Sequence, residues 1–422
     1  MSNQRRWLIL ALLMALCFIS HFNRASMASA GDERIMKQFG ISTEQMGVVY
    51  SAFLIVYTVF MIPGGLLIDR VGPRRALTLM GFGTATFCAL TGMIGRGVIA
   101  ATQVWFTLLL IRGLMGLFTT PLHPACARSV SNWFPEQQRS LANGLVTGAA
   151  LLAYALVHPL FGGLIDRVDW PNAFLISAAG TALLTWLWRA MATDRPEQSY
   201  PDPTVNTRQG EAGAISVLDS MRVLLRNRSL ILLTLSYASV GYFQYLFFYW
   251  MHYYFDEVLH LGKAESRLYA GLPNFAMALC MPLGGWLSDE GQERFGQRFG
   301  LTIVPKIGMM ASAAFLMAGI FSHQTFWIVA LFTLSLGVLG LCEGSFWTAA
   351  VLLGGRRGGT AAAVMNTGGN GIGLLAPMVT PWVGARLGWT WGISLGALVG
   401  LAGALCWWWV DPNERDKSAD SA

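Results

Sequence analysis

Long apolar runs recur along this chain from one end to the other, separated by short polar turns, and no other feature limits its fold so strongly. A helix needs roughly 20 mostly apolar residues to cross a bilayer, and within the hydrocarbon every backbone N–H and C=O must find its partner inside the segment. Runs of that length fall at 7–29, 45–68, 76–96, 102–127, 139–163, 171–192, 229–255, 266–288, 301–322, 326–352, 360–384 and 388–410, which predicts twelve spans. The first follows Arg5 and Arg6 as a signal peptide's apolar run would, but it continues through Asn23 and Arg24 without a clear cleavage site and reads as a retained helix. Hydrophobic residues make up 54% of the chain and charged ones 12%, more apolar surface than one or two soluble domains can bury. The expected fold class is all-α: a polytopic membrane protein.

A polar stretch at 193–227, with Pro196, Pro201, Pro203 and a basic cluster at Arg222, Arg226 and Arg228, interrupts the pattern after six spans. It divides the chain into an N-terminal six-helix bundle at 1–192, a linker at 193–227, a C-terminal six-helix bundle at 228–410 and a tail at 411–422. The halves echo each other. Pro63-Gly64-Gly65-Leu-Leu-Ile-Asp69 has a counterpart in Pro282-Leu-Gly284-Gly285-Trp-Leu-Ser-Asp289, and Gly65 to Gly285 and Asp69 to Asp289 are both separated by 220 residues. Repeated helical units are a common plan for secondary transporters, with the substrate near the midplane between them. With the N-terminus in the cytoplasm, Arg5, Arg6, Arg74, Arg75, Arg189 and most other loop cations lie inside, and Arg34, Lys37 and Arg96 are among the few outside. The formal charge of +6 therefore reports topology, and nucleic acid need not be invoked.

Gly65-Leu-Leu-Ile-Asp69-Arg70-Val-Gly72-Pro-Arg74-Arg75 packs its charges into one turn between two apolar runs. Its acid and bases can pair across neighbouring helix ends, its glycines permit close approach, and its arginines hold it in the cytoplasm. The second-half copy carries Glu290 where the first carries Arg70. The six cysteines fall inside apolar runs with no CxxC pair, which suits packing rather than metal or disulfide chemistry. With no nucleophile–base–acid set, metal motif or phosphate loop, neither an enzyme nor a cofactor is expected.

Charges inside spans are costly and need a reason. Arg24 lies toward the outer end of the first span, where snorkelling competes with a functional role. Arg112 lies near the middle of the fourth, where the alternatives are an ion pair or carbonyl clamp and a cation facing an anionic substrate. Arg112, Gly116, Thr119 and His123 share one helix face, so His123 is a candidate proton carrier or a hydrogen-bonded packing residue. Glu343 reads as the acidic residue well inside a span, a second coupling candidate, with Trp347 one turn on. Gln244 and Tyr245 in the seventh span, and Asn366 and Asn370 one turn apart in the eleventh, supply polar groups that suit a cavity wall.

The turn at Gly65–Arg75 resembles the signature loop of the major facilitator superfamily. Asn23-Arg24-Ala25, Gln45-Met46-Gly47, Arg112-Gly113, Pro121 to Pro124, Trp133-Phe134-Pro135 with Arg139, and Asn366 to Asn370 with Pro377 further resemble its anion:cation symporters, which carry sugar acids and related carboxylates. That resemblance implies the major facilitator fold, and roles for Arg24 and Arg112 at the substrate carboxylate and in coupling. It also implies that Gln244, Asn370 and Trp347 line the pocket. Where similar proton symporters carry acids before the first-helix arginine and on helix four, this chain has Asn23 and Thr119. The expected function is secondary transport of a small organic anion by alternating access, coupled to an ion for which a proton is the candidate, in an inner membrane, with both termini cytoplasmic and one chain sufficient. An uncoupled facilitator, exchanger or exporter, and a substrate sensor on the same fold, are the alternatives.

Overall fold

The computed structural model describes residues 2–134, 136–194, 226–354, 358–412 and 414, with side chains at 2, 3, 62, 63, 65–67, 69, 70, 131, 136–141, 351 and 358–360 outside that description. Most of the expected linker, the turn side chains of Asp69 and Arg70, and the position Gly65 beyond its helical backbone therefore lie outside the described residues. The described chain is helical and contains no strand. Its helices are α1 (Ser2–Ala30), α2 (Met36–Phe39), α3 (Thr43–Val71), α4 (Pro73–Ile94), α5 (Val104–Thr119), α6 (Leu122–Trp133) and α7 (Glu136–Met191). After the linker come α8 (Arg228–Tyr253), α9 (Lys263–Phe295), α10 (Gln297–Ile320), α11 (Thr325–Gly340), α12 (Glu343–Gly354), α13 (Gly358–Gly373), α14 (Ala376–Leu387) and α15 (Trp389–Cys406).

Helical segments cover every apolar run of the sequence, and nine described segments are long and apolar enough to cross a membrane. α7 joins two of the expected spans through a kink at Asp169, whose φ of 63° breaks the helical path ahead of Pro171. Large apolar side chains such as Val59, Phe106, Leu183 and Trp186 point outward, as lipid-facing residues do. Local chemistry fixes the helix ends. Ser42 and Gln45 cap α3 reciprocally, each side chain bonding the other's backbone N–H. Gly72, at φ 80° and ψ 158°, turns the chain between α3 and α4, and Pro73 opens α4 where its missing N–H costs nothing.

The chain forms two compact units. The first is Met1–Glu197 with Leu246–Phe275 and Pro377–Trp389; the second is Gln198–Tyr245 with Ala276–Ala376 and Thr390–Ala422. In the first unit α1 and α4 pack on α7, and α3 packs on α5. A β-carbon at Gly116 would sit 2.4 Å from the Phe53 carbonyl oxygen, so only glycine permits that approach. In the second, α10 packs on α11 and α12 on α13.

The repeat read from sequence reappears as the same local device within each unit. Gly64 lies against Thr120 at the break between α5 and α6, where a β-carbon would be 2.5 Å from Oγ1. Gly284, 220 positions later, lies against Leu341 at the break between α11 and α12, where a β-carbon would be 2.0 Å from the carbonyl oxygen. Around the signature turn, Asp194 accepts a hydrogen bond from the Arg74 backbone N–H at 2.8 Å, and Arg74 Nη2 donates to the Arg189 carbonyl at 2.5 Å. The turn is thus tied to the far end of α7, while Arg75 is exposed.

Candidate functional site

The first unit gathers Asn23, Arg24, Arg112, Thr119 and His123. Arg112, 1% exposed, donates from Nη2 to the Arg24 carbonyl at 2.7 Å and from Nη1 to the Asn23 carbonyl at 3.3 Å. Its guanidinium therefore clamps the backbone of α1, the structural alternative named for it from sequence. Arg24, also buried, donates from Nε to the Tyr249 hydroxyl at 3.2 Å. Both guanidiniums lie over the Phe53 ring, at 5.0 Å for Arg24 and 5.4 Å for Arg112. Two like charges against one aromatic ring give this part of the unit a positive potential.

Arg24 opens onto a small cavity whose other walls are Ser20, His21, Tyr57, Thr119, Leu122 and His123. Asn23 faces the opposite way: its Nδ2 donates to Thr181 Oγ1 at 2.7 Å, and its Oδ1 accepts from Ser177 at 2.5 Å. The Thr119 hydroxyl donates to the Met115 carbonyl at 2.8 Å. Both positions where similar symporters carry acids are thus held in neutral hydrogen bonds. His123 meets His21, a residue the sequence reading passed over, with the Nε2 atoms 3.3 Å apart. Cys17 completes a group whose ligand atoms lie within 4.8 Å of one another. His21 Nδ1, however, donates to the Cys17 carbonyl at 2.9 Å, which leaves that ring one free lone pair, aimed at His123 and not at a shared centre.

The second unit gathers Gln244, Tyr245, Glu343, Trp347, Asn366 and Asn370. The Tyr245 hydroxyl donates to Asn370 Oδ1 at 2.5 Å, and Asn370 Nδ2 donates to the Asn366 backbone carbonyl at 2.9 Å and to Asn366 Oδ1 at 3.2 Å, so the two amides one turn apart form one polar strip. Gln244 reaches Met277 Sδ at 3.9 Å. Glu343 Oε1 accepts from the Tyr237 hydroxyl at 2.6 Å and from Trp347 Nε1 at 3.0 Å. Its Oε2 is buried without a hydrogen-bond partner among the described residues. Tyr237 escaped the sequence reading, since one more tyrosine in an aromatic helix carries no distinguishing signal.

Glu343 is not alone as an acid in the protein interior, because Asp32 and Glu33 are each 1% exposed. They follow α1 in a π-helical turn at Gly31–Ile35, whose wider pitch keeps both carboxylates turned inward past the point where the apolar run ends.

An all-helical chain with long apolar segments, buried arginines and a glycine-broken repeat defines a polytopic membrane transporter. The chain matches the Major Facilitator Superfamily over residues 13–377 and belongs to that family. Among curated relatives, a probable sulfoacetate transporter of Cupriavidus necator is 27% identical, covering 96% of this chain and 94% of the relative. A probable galactarate/D-glucarate transporter of Bacillus subtilis is 27% identical over 90% of this chain and 85% of the relative. A D-galactonate transporter of Escherichia coli is 24% identical over 96% and 95%. The fold matches a solved bacterial homologue of the human lysosomal transporter Spinster with a TM-score of 0.74 at 16% identity, covering 96% of this chain and 95% of that one.

Proposed function

We propose that this chain carries a small organic anion, a hydroxylated or sulfonated carboxylate, across the inner membrane by alternating access, driven by protons, with both termini cytoplasmic and a single chain as the working unit. The observation that carries this reading is Arg24: a buried cation on a small cavity lined also by Ser20, His21, Tyr57, Thr119, Leu122 and His123. A guanidinium binds a carboxylate through two parallel hydrogen bonds, and a low-dielectric wall strengthens them. Arg112 serves as a positioning residue, fixing the α1 backbone from which Arg24 projects. Within the second unit taken by itself, Asn366, Asn370, Tyr245 and Gln244 gather amides and a hydroxyl of the kind that hydrogen-bond hydroxylated compounds. The relatives named for sulfoacetate, galactarate, glucarate and galactonate support the same class of cargo.

Uptake of labelled galactarate, D-galactonate and sulfoacetate into proteoliposomes, with and without an inward proton gradient, tests this. Saturable, gradient-dependent accumulation of one of them is the expected result; no saturable uptake of any would overturn the assignment. A second reading, an uncoupled facilitator or exchanger, is favoured by the neutral hydrogen bonds of Asn23 and Thr119. Uptake that stops at equal concentrations whatever the gradient would establish it.

Glu343 is the acid that the sequence offers as a coupling candidate. Glu343→Gln keeps an oxygen able to accept from Tyr237 and Trp347. It is expected to leave uptake within about threefold of the parent, the scale of a single neutral hydrogen bond, with the pH response intact. A lost pH response in this variant would move coupling to Glu343.

A further inference from the structure

His21 and His123 meet at the Arg24 cavity, and their contacts fix where their hydrogens sit. His21 Nδ1 stands 2.9 Å from the Cys17 carbonyl, which can only accept, so this nitrogen carries a hydrogen and the neutral ring offers Nε2 as a lone pair. His123 Nε2, 3.3 Å away, must then supply the hydrogen between the rings. One basic nitrogen is left over, His123 Nδ1. A proton added there makes the pair a cation that keeps its bond, because the hydrogen between the rings can sit on either Nε2. A second proton would set N–H against N–H and break that bond, so the pair holds one proton at a time. We infer that His21 and His123 together are the proton site of this transporter, a shared imidazole pair in place of the carboxylates absent at Asn23 and Thr119, and that proton and cargo anion load together at the Arg24 cavity. This inference rests on the transport reading above and names the site of its coupling ion.

Position favours this role. Both rings line the cavity that Arg24 lines, and the His123 side is only part-buried, so a proton reaches the pair there without crossing a packed interior. The positions that lack acids are adjacent: Asn23 follows His21 by two residues, and Thr119, on the same cavity, precedes His123 by four. Ser20, 2% exposed, lines the cavity with its hydroxyl unpartnered among the described residues, a second donor for an anion oxygen seated on Arg24. Charge supplies the linkage. A proton on the pair stands near the Arg24 guanidinium behind a low-dielectric wall, where two cations repel, and among the described residues no carboxylate contacts either ring to offset it. An anion on Arg24 supplies the missing counter-charge and so favours the proton; by reciprocity the proton favours the anion. The other groups around the pair do not disturb this balance. Arg112, on α5, is held by the α1 carbonyls. Cys17 on α1, Tyr57 on α3, Cys126 on α6 and Tyr154 on α7, its ring 5.9 Å from His21, are thiols and phenols that carry no charge near neutral pH. One H⁺ is taken from water at His123 and returned there, and no electron or other group moves.

Two measurements test the pair. The first needs no cargo: nitrogen NMR of the full chain, labelled at histidine nitrogens and held in lipid nanodiscs, reads each ring's tautomer, and transfer across the N–H···N bond picks out the pair. At pH 8.5 the expected result is hydrogen on His21 Nδ1 and His123 Nε2. On acidification both rings are expected to shift together as one proton enters, and Arg24→Gln, which removes the opposing cation, is expected to raise that midpoint by about one unit or more. Other tautomers, a full proton on each ring in separate steps, a midpoint that Arg24→Gln leaves unmoved, or no proton entering either protein down to pH 4 would overturn the proposal. The second measurement uses whichever of galactarate, D-galactonate or sulfoacetate the parent accumulates. His123→Gln keeps an N–H for His21 Nε2 but holds no proton. Counterflow is expected to persist at a lower rate, without the gain in affinity that acid gives the parent, which approaches about tenfold per pH unit for one linked proton. With the membrane potential clamped at zero, accumulation should fall from about tenfold per unit of imposed pH difference to equal concentrations. Retained accumulation in His123→Gln sinks the proton site while leaving the transport reading intact; a parent that moves none of the three acids sinks the transport reading while the NMR result still decides the pair.

Discussion

Arg24→Ala is expected to cripple both gradient-driven uptake and counterflow, with kcat/KM down by about 30- to 4,000-fold, while the protein keeps its melting temperature in detergent. The magnitude follows from burial. Removing one partner of a buried, hydrogen-bonded charge pair costs about 2–5 kcal/mol, and each 1.4 kcal/mol is about tenfold. Fold retention follows from the division of labour around α1. The contacts that hold this helix in place come from Arg112 on its carbonyls and from Asn23 bonded to Ser177 and Thr181, whereas Arg24 donates to the Tyr249 hydroxyl and covers the Phe53 ring. Arg24→Lys keeps the charge but loses the planar fork, so it should fall between parent and alanine variant. Uptake by Arg24→Ala at the parent's KM would remove Arg24 from the binding site.

The helices were legible in the sequence because a bilayer leaves the backbone no other economy: each apolar run had to close its own hydrogen bonds. The glycine device was legible in part. Gly64 and Gly284 stand in matched motifs 220 residues apart, but that each lies against a helix break, at Thr120 and at Leu341, depends on packing that the spacing does not reveal. Candidate residues on one helix face were likewise found together, as Asn366 and Asn370 show. What a side chain's polar atoms bond to was harder to read. Arg112 and Arg24 are equally unusual as buried arginines, yet one is used by backbone carbonyls and the other by a hydroxyl and a ring. Asp32 and Glu33 were hidden for a different reason. Two adjacent acids after an apolar run look like its solvated end, and only a π-helical turn together with Arg267 and the His252 ring from distant helices accounts for their burial. His252 and Arg267 lie more than 200 residues from their partners, beyond the reach of any periodicity.

Arg112→Lys is expected to fail almost as completely as Arg24→Ala, but for a reason that a melting curve separates. The guanidinium spans two successive carbonyls of α1, at 2.7 Å and 3.3 Å, from two different nitrogens. A single ammonium on a flexible stem cannot hold both in that geometry, so the usual conservative exchange is not conservative here. Hydrogen bonds from a charged donor contribute about 1.5–3 kcal/mol each, and a buried cation left with unmet donors adds a desolvation cost. The backbone that carries Arg24 would then lose its anchor. Uptake should fall by about 100-fold or more, accompanied by a drop of roughly 5–10 °C in the detergent melting temperature. Arg112→Met, which fills similar volume without a charge, should lose uptake equally but melt higher than the lysine variant, since it leaves no cation to desolvate. An Arg112→Lys protein that melts like the parent and lacks only substrate affinity would instead place Arg112 in contact with the anion itself.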